Sequence, residues 1–151
     1  MVKNIFDHQV AQELIGRIEK LDSQKKPSWG KMTADQMLAH CNVTYEMIYD
    51  TKHPKAAGFK KFILKLLVKN LVVNDKSYKR SSQTAPEFLI KGNRDFELEK
   101  KRLIEHIQKT EKLGESHFHN KESHSFGPLT SREWNNMFYK HLDHHLKQFD
   151  V

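Results

Sequence analysis

Apolar residues recur along this chain mostly at spacings of three and four, the signature of helices that turn one face toward a core. Val10, Leu14, Ile18 and Leu21 form one such stripe and predict a first helix from Phe6 to about Leu21, with Asp7 as its N-cap. Asp22 to Lys31 is polar, contains Pro27 and Gly30, and reads as a loop whose Trp29 packs on the helices it joins. Thr33 followed three residues later by Gln36 is a capping-box pattern, and it opens a second helix running to about Asp50. The core stripe of that helix is Met37, His40, Cys41, Thr44, Met47 and Ile48. His53-Pro54 ends it, because the residue before a proline is pushed out of the helical region.

From Ala57 to about Val73 the chain is apolar and basic by turns. Phe59, Phe62, Ile63, Leu66, Leu67 and Val68 stand against Lys60, Lys61, Lys65 and Lys69. This predicts an amphipathic helix, followed by a long polar connection from Asn74 to Gly92, the two forming an extended crossover of the kind some bundles use. Asn93 to about Leu113 predicts another helix, with Phe96, Leu103, Ile104 and Ile107 as its apolar face and Gly114 as its stop. Glu115 to Pro128 reads as a polar loop with no β-hairpin. Thr130 and Glu133 form a second capping box at the start of the last helix. The pattern as a whole predicts one all-α domain over residues 1–151, a four-helix bundle whose long crossover contains an extra helix.

The last helix changes the picture from fold to chemistry. Trp134, Phe138, His141, His145 and Phe149 lie on one stripe that faces the core. Imidazoles at i and i+4 can point at one ion, and His40 lies on or beside the buried face of the second helix. A lone core histidine is ordinarily a hydrogen-bonded packing residue, but burying three is costly unless each finds a partner, and a metal satisfies all three. His144 competes with His145. At roughly 100° per residue, His145 sits about 40° past His141 and His144 about 60° short of it. His145 is preferred because it shares its stripe with Phe138 and Phe149. His144 and His124 are assigned to the second shell or the pocket rim, with His117 a weaker rim candidate, while Asp143 points nearly opposite. Cys41, beside His40, reads as a small apolar filler rather than a nucleophile. Thr44, Tyr45 and Tyr139 lie near the ligand turns and carry no assigned role.

Composition narrows the setting. The 151 residues are 37% hydrophobic and 30% charged, with six Gly and four Pro, which suits a folded, helix-rich protein. No apolar run approaches the roughly 20 residues that span a bilayer, and the N-terminal residues lack the apolar stretch of a signal peptide. Cys41 is the only cysteine, which excludes an intrachain disulfide and suggests a reducing cytoplasm. The net charge of +7 is read as solubility first. Only one segment, residues 55–80, concentrates basic residues, and it is read as a bundle-covering helix with solvated lysines, without a nucleic-acid or membrane partner.

Two segments resemble a known family. Trp29-Gly30-Lys31-Met32-Thr33-Ala34-Asp35-Gln36-Met37-Leu38-Ala39-His40 resembles the second-helix motif of the DinB/YfiT-like superfamily. Phe126-Gly127-Pro128-Leu129-Thr130, Glu133-Trp134 and Lys140-His141-Leu142-Asp143-His144-His145-Leu146-Lys147-Gln148-Phe149 resemble the last-helix motif of a DinB-like branch that is still named a domain of unknown function. The resemblance spans most of the chain in helix order and is vague between Ala57 and Gly92. It implies a four-helix bundle, commonly dimeric, with a divalent metal, often nickel or zinc, held by one histidine of the second helix and two of the last. Carried over, these are His40, His141 and His145. Some members of the superfamily are thiol-dependent enzymes that use bacillithiol, mycothiol or glutathione.

Three functional expectations follow. The first is a metal-dependent enzyme, a thiol S-transferase or a hydrolase acting on a small molecule, with a low-molecular-weight thiol as its co-substrate in the former case. The second is a non-catalytic binding protein that uses the basic segment 55–80 on a membrane or nucleic acid. The third is a bundle with a vestigial site that serves as a stress-related binding protein.

Overall fold

The computed structural model describes residues 1–151. Six α-helices and one short hairpin follow in order: α1 (His8–Glu19), α2 (Ala34–Tyr49), α3 (Gly58–Leu67), α4 (Lys69–Val73), α5 (Phe96–Phe118), β1 (Lys121–Ser123), β2 (Gly127–Leu129) and α6 (Ser131–Gln148). A 3-10 turn at Pro86–Phe88 interrupts the connection between α4 and α5. α5 packs on α1, α2 and α6, and α6 also packs on α1 and α2, so these four helices enclose the core. The fold is all-α, and α3, α4 and the turn at residues 86–88 form the long crossover.

The helix starts follow from local chemistry. The Asp7 carboxylate accepts from the free amides of Gln9 and Val10, satisfying donors that have no partner inside the helix. The Gln36 side chain reaches back to the Thr33 amide, 3.2 Å away. At α6 the box is complete. Thr130 Oγ1 accepts from the Glu133 amide, and Glu133 Oε2 accepts from the Thr130 amide.

Of the buried apolar side chains, 23 form one cluster. Phe138 of α6 lies near its centre, its ring 5.3 Å from Tyr45, 5.5 Å from Trp134 and 5.4 Å from Phe118. His141 follows one turn later, so the aromatic core positions the part of α6 that carries the histidines.

The structure corrects three expectations. First, a two-stranded antiparallel hairpin pairs Lys121–Ser123 with Gly127–Leu129 inside the segment expected to be loop. Three-residue strands, one holding a proline, carry too little alternation to be read from sequence. What closes the hairpin is Ser123 Oγ, which donates to the Gly127 carbonyl and accepts from the Phe126 amide, together with the positive φ of Gly127. Second, Gly114 does break α5 (φ 74°, ψ 170°), but helix resumes for one more turn. Phe118 in that turn is fully buried against Phe6, Trp134 and Phe138. Third, the crossover helix is two helices meeting at Val68, and its apolar side chains do not all cover the bundle. Leu64, Val68 and Val72 pack on the core, whereas Phe59, Phe62, Leu66, Leu67 and Leu71 face outward.

Candidate metal centre

α2 supplies His40 and Thr44, one turn apart on the same face, and α6 supplies His141 and His145 in the same relation. The α2–α6 contact brings the two pairs together. One ring nitrogen from each of His40, His141 and His145 lies within 4.8 Å of the others. The ring centroids are 4.5–4.9 Å apart. His40 and His145 are buried, at 4% and 8% exposure, and His141 is partly buried.

The partners of the outer nitrogens decide where the lone pairs point. His40 Nδ1 is 2.9 Å from the Phe88 carbonyl, which can only accept, so Nδ1 carries the proton and Nε2 is bare. Gln148 is oriented by the Trp29 carbonyl, which accepts from its Nε2 at 2.6 Å. Its Oε1 therefore faces His145 Nδ1 at 2.8 Å and accepts from it, leaving His145 Nε2 bare as well. His141 Nδ1 is 3.0 Å from Thr44 Oγ1, a group that both donates and accepts, and its Nε2 is 2.9 Å from His40 Nε2. At that distance either His141 Nε2–H donates to His40, or both nitrogens are bare and a cation relieves their repulsion. Thr44 accommodates both states.

Burial keeps the three rings neutral, which is the ligating form. Desolvation lowers His40, opposed in part by the Phe88 carbonyl. It pushes His145 down to about 3, aided by the neighbouring His40, and holds His141 well below the ordinary histidine range, aided by His145 and His40. Three neutral imidazoles whose outer N–H groups are anchored, or in His141 free to be anchored, form a donor set that fits a divalent ion.

The other histidines fall elsewhere. His144 lines a cleft of about 600 Å³ together with Trp29, Tyr78, Arg80, Lys140 and Asp143. Its ring is 5.8 Å from both Trp29 and Tyr78 and 5.0 Å from His145, so it stands between the cleft and the cluster. His124 is buried at the tip of the hairpin, with Nδ1 on Ser125 Oγ, and is not part of the cluster. His117 is exposed beside Lys121. Asp143 pairs with Arg17 and Lys147, away from the cluster. Cys41 is buried, with its thiol pushed up by desolvation, as expected of a filler. Tyr45 is buried between His106 and Phe138, and Tyr139 lines the cleft.

Sequence reasoning gave no role at the site to Phe88, Thr44, Gln148 or the Trp29 carbonyl. Gln148 left a faint signal, since it stands three residues after His145. Gly30 left another. Its φ is +82°, and a Cβ there would lie 2.5 Å from Gln148 Nε2, so glycine is what lets the Trp29 carbonyl reach Gln148. Phe88 left none, because it acts through a backbone carbonyl 48 residues from His40.

No curated protein and no solved structure matches this chain. One family does, described as "Protein of unknown function (DUF1569)", over residues 3–151. That span takes in every helix of the bundle and all three histidines, and the chain belongs to the DUF1569 family.

Proposed function

We propose that this chain is a divalent-metal-dependent enzyme in which His40, His141 and His145 ligate one ion, nickel or zinc, next to a cleft for a small-molecule substrate. The observation that carries this reading is the pair of locked tautomers. His40 and His145 each donate Nδ1–H outward, to Phe88 O and Gln148 Oε1, and so aim bare Nε2 atoms inward. Packing histidines have no need of such an arrangement, whereas metal-binding histidines ordinarily anchor the other nitrogen in this way.

Three protein ligands leave a position open to water or substrate, the pattern of catalytic rather than structural zinc. When bound, an ion there acts as a Lewis acid and lowers the pKa of a water or thiol. The chain's own groups set the geometry. Phe88 and Gln148 orient two imidazoles, and the Phe88 ring packs against His40 and His141 on one side of the cluster. His144 stands on the side of the cleft. The resemblance to the DinB/YfiT-like superfamily favours thiol S-transfer, with a low-molecular-weight thiol as co-substrate, and hydrolysis is the other chemistry that this ligand set suits.

The test loads the purified chain with nickel or zinc. It then follows thiol loss in the presence of glutathione or bacillithiol and an electrophile, and hydrolysis of activated esters. The expected result is turnover in one of the two assays that His40→Ala and His141→Ala abolish. Turnover that persists in both variants, or metal-loaded protein inert in both assays, would overturn the enzymatic reading.

A further inference from the structure

The crossover presents a surface that the metal centre does not use. Phe59, Phe62, Leu66, Leu67 and Leu71 are 77%, 59%, 65%, 62% and 65% exposed, although all five are large apolar side chains within thirteen residues of chain. Phe59, Phe62 and Leu66 recur at spacings of three and four on α3, Leu67 ends that helix, and Leu71 lies beyond Val68 on α4. The Phe59 and Phe62 rings stack with centroids 6.5 Å apart, and exposed apolar side chains of this size, so close in the chain, mark an interaction site.

Charge indicates what covers it. Residues 55–80 hold eight of the 26 Lys and Arg of the chain and one of its 19 Asp and Glu, so the remaining residues carry eighteen of each. The whole net charge of +7 therefore equals that of this one segment. Lys60 pairs with Glu87 within the crossover, and Lys61 and Lys69 pair with Glu122 of β1 and Glu133 of α6, which ties the crossover to the rest of the fold, while Lys65 has no such partner.

We propose that α3 and α4 form a docking face for an anionic lipid surface, with the five apolar side chains entering the interfacial region and the basic residues of 55–80 facing the headgroups. A second copy of the chain fits less well, since an isologous contact would set one basic segment against another. A nucleic acid satisfies the charge but offers phosphates rather than an apolar phase to the exposed Phe and Leu residues. An anionic bilayer satisfies both, as it does for helices with a basic polar face and a Phe- and Leu-rich apolar face. No helix is long and apolar enough to cross a membrane, so the contact is a peripheral one.

The experiment is flotation of the full chain with large unilamellar vesicles of phosphatidylcholine alone or with about one-third phosphatidylglycerol, at low and high salt. Wild type should float with the anionic vesicles and dissociate at high salt. Lys65→Glu should weaken binding at least about five-fold, the effect of roughly one lysine near such a surface. Phe59→Ser/Phe62→Ser/Leu66→Ser should abolish binding with an unchanged far-ultraviolet circular dichroism spectrum, since α3 has no fully buried residue. Equal binding to both lipid mixtures, or binding that survives the triple substitution, overturns the proposal. So does failure to float combined with salt-sensitive binding to duplex DNA, or with a dimer in sedimentation that the triple variant abolishes. Metal binding should be unaffected in all these variants, so the result is independent of the enzymatic reading.

Discussion

Gln148 is where the account of the histidine cluster is most exposed to test. It is buried, accepts from His145 Nδ1 at 2.8 Å and donates to the Trp29 carbonyl at 2.6 Å. In Gln148→Leu both bonds vanish with little change in volume. His145 then loses the acceptor that holds its proton on Nδ1 and its ring in place. Losing such an outer partner ordinarily weakens metal binding about 10- to 100-fold, or roughly 1.4–2.7 kcal/mol. The stranded His145 and Trp29 groups should also destabilise the apo-protein by about 1–3 kcal/mol. Gln148→Glu separates the two effects. It keeps an acceptor for His145 while turning a carboxylate oxygen toward the Trp29 carbonyl, so it should lower stability but hold metal at least as tightly as the leucine variant. The assay is competition for zinc against a chelator of known affinity, with urea denaturation of the apo-proteins alongside. Wild-type zinc affinity in Gln148→Leu would refute the claim that Gln148 orients a ligand.

Three further outcomes are expected. Gly30→Ala should lower both metal affinity and thermal stability. It places a Cβ 2.5 Å from Gln148 Nε2 at a φ of +82°, which costs about 1 kcal/mol or more, and an unchanged melting temperature would contradict the close approach. The apo-protein should lose stability on acidification. The folded pKa values of His145, His40 and His141 lie below that of a free histidine, so the unfolded chain takes up protons first. The contribution is complete above about pH 6.5 and is lost as pH falls toward about 3 for His145, with a limiting slope near 1.4 kcal/mol per pH unit per group. Urea midpoints from pH 8 to 5 should show this slope, and it should be shallower in His145→Gln, though not absent, because desolvated His106 titrates in the same direction. Phe138→Ala should destabilise the fold by about 3–5 kcal/mol in urea, since it removes a fully buried ring that touches Tyr45, Trp134 and Phe118.

What the sequence made legible was whatever local periodicity encodes. The stripes placed α1, α2, α5 and α6, and the pairs Thr33/Gln36 and Thr130/Glu133 marked two helix starts to the residue. His141 and His145 came from the same reasoning, because i and i+4 on a core-facing helix is a local relation. That His40 belongs with them is a tertiary fact. The stripe made it a candidate, and the α2–α6 contact brought it within reach. The groups that hold the imidazoles were not legible, because Phe88 acts through its backbone and Gln148 acts together with a turn more than a hundred residues away. The crossover was misread for a related reason. Amphipathic periodicity says that a helix has two faces but not which one the bundle takes, and here Leu64 and Val68 pack inward while Phe59 and Phe62 do not.

The most direct test of the central claim is zinc and nickel titration of metal-free wild type beside His40→Ala, His141→Ala and His145→Ala, read by calorimetry. The account predicts one tight site per chain in wild type and none of comparable affinity in any variant, with helix content preserved. Absence of a stoichiometric site in wild type, or a site of wild-type affinity in any of the three variants, would contradict it.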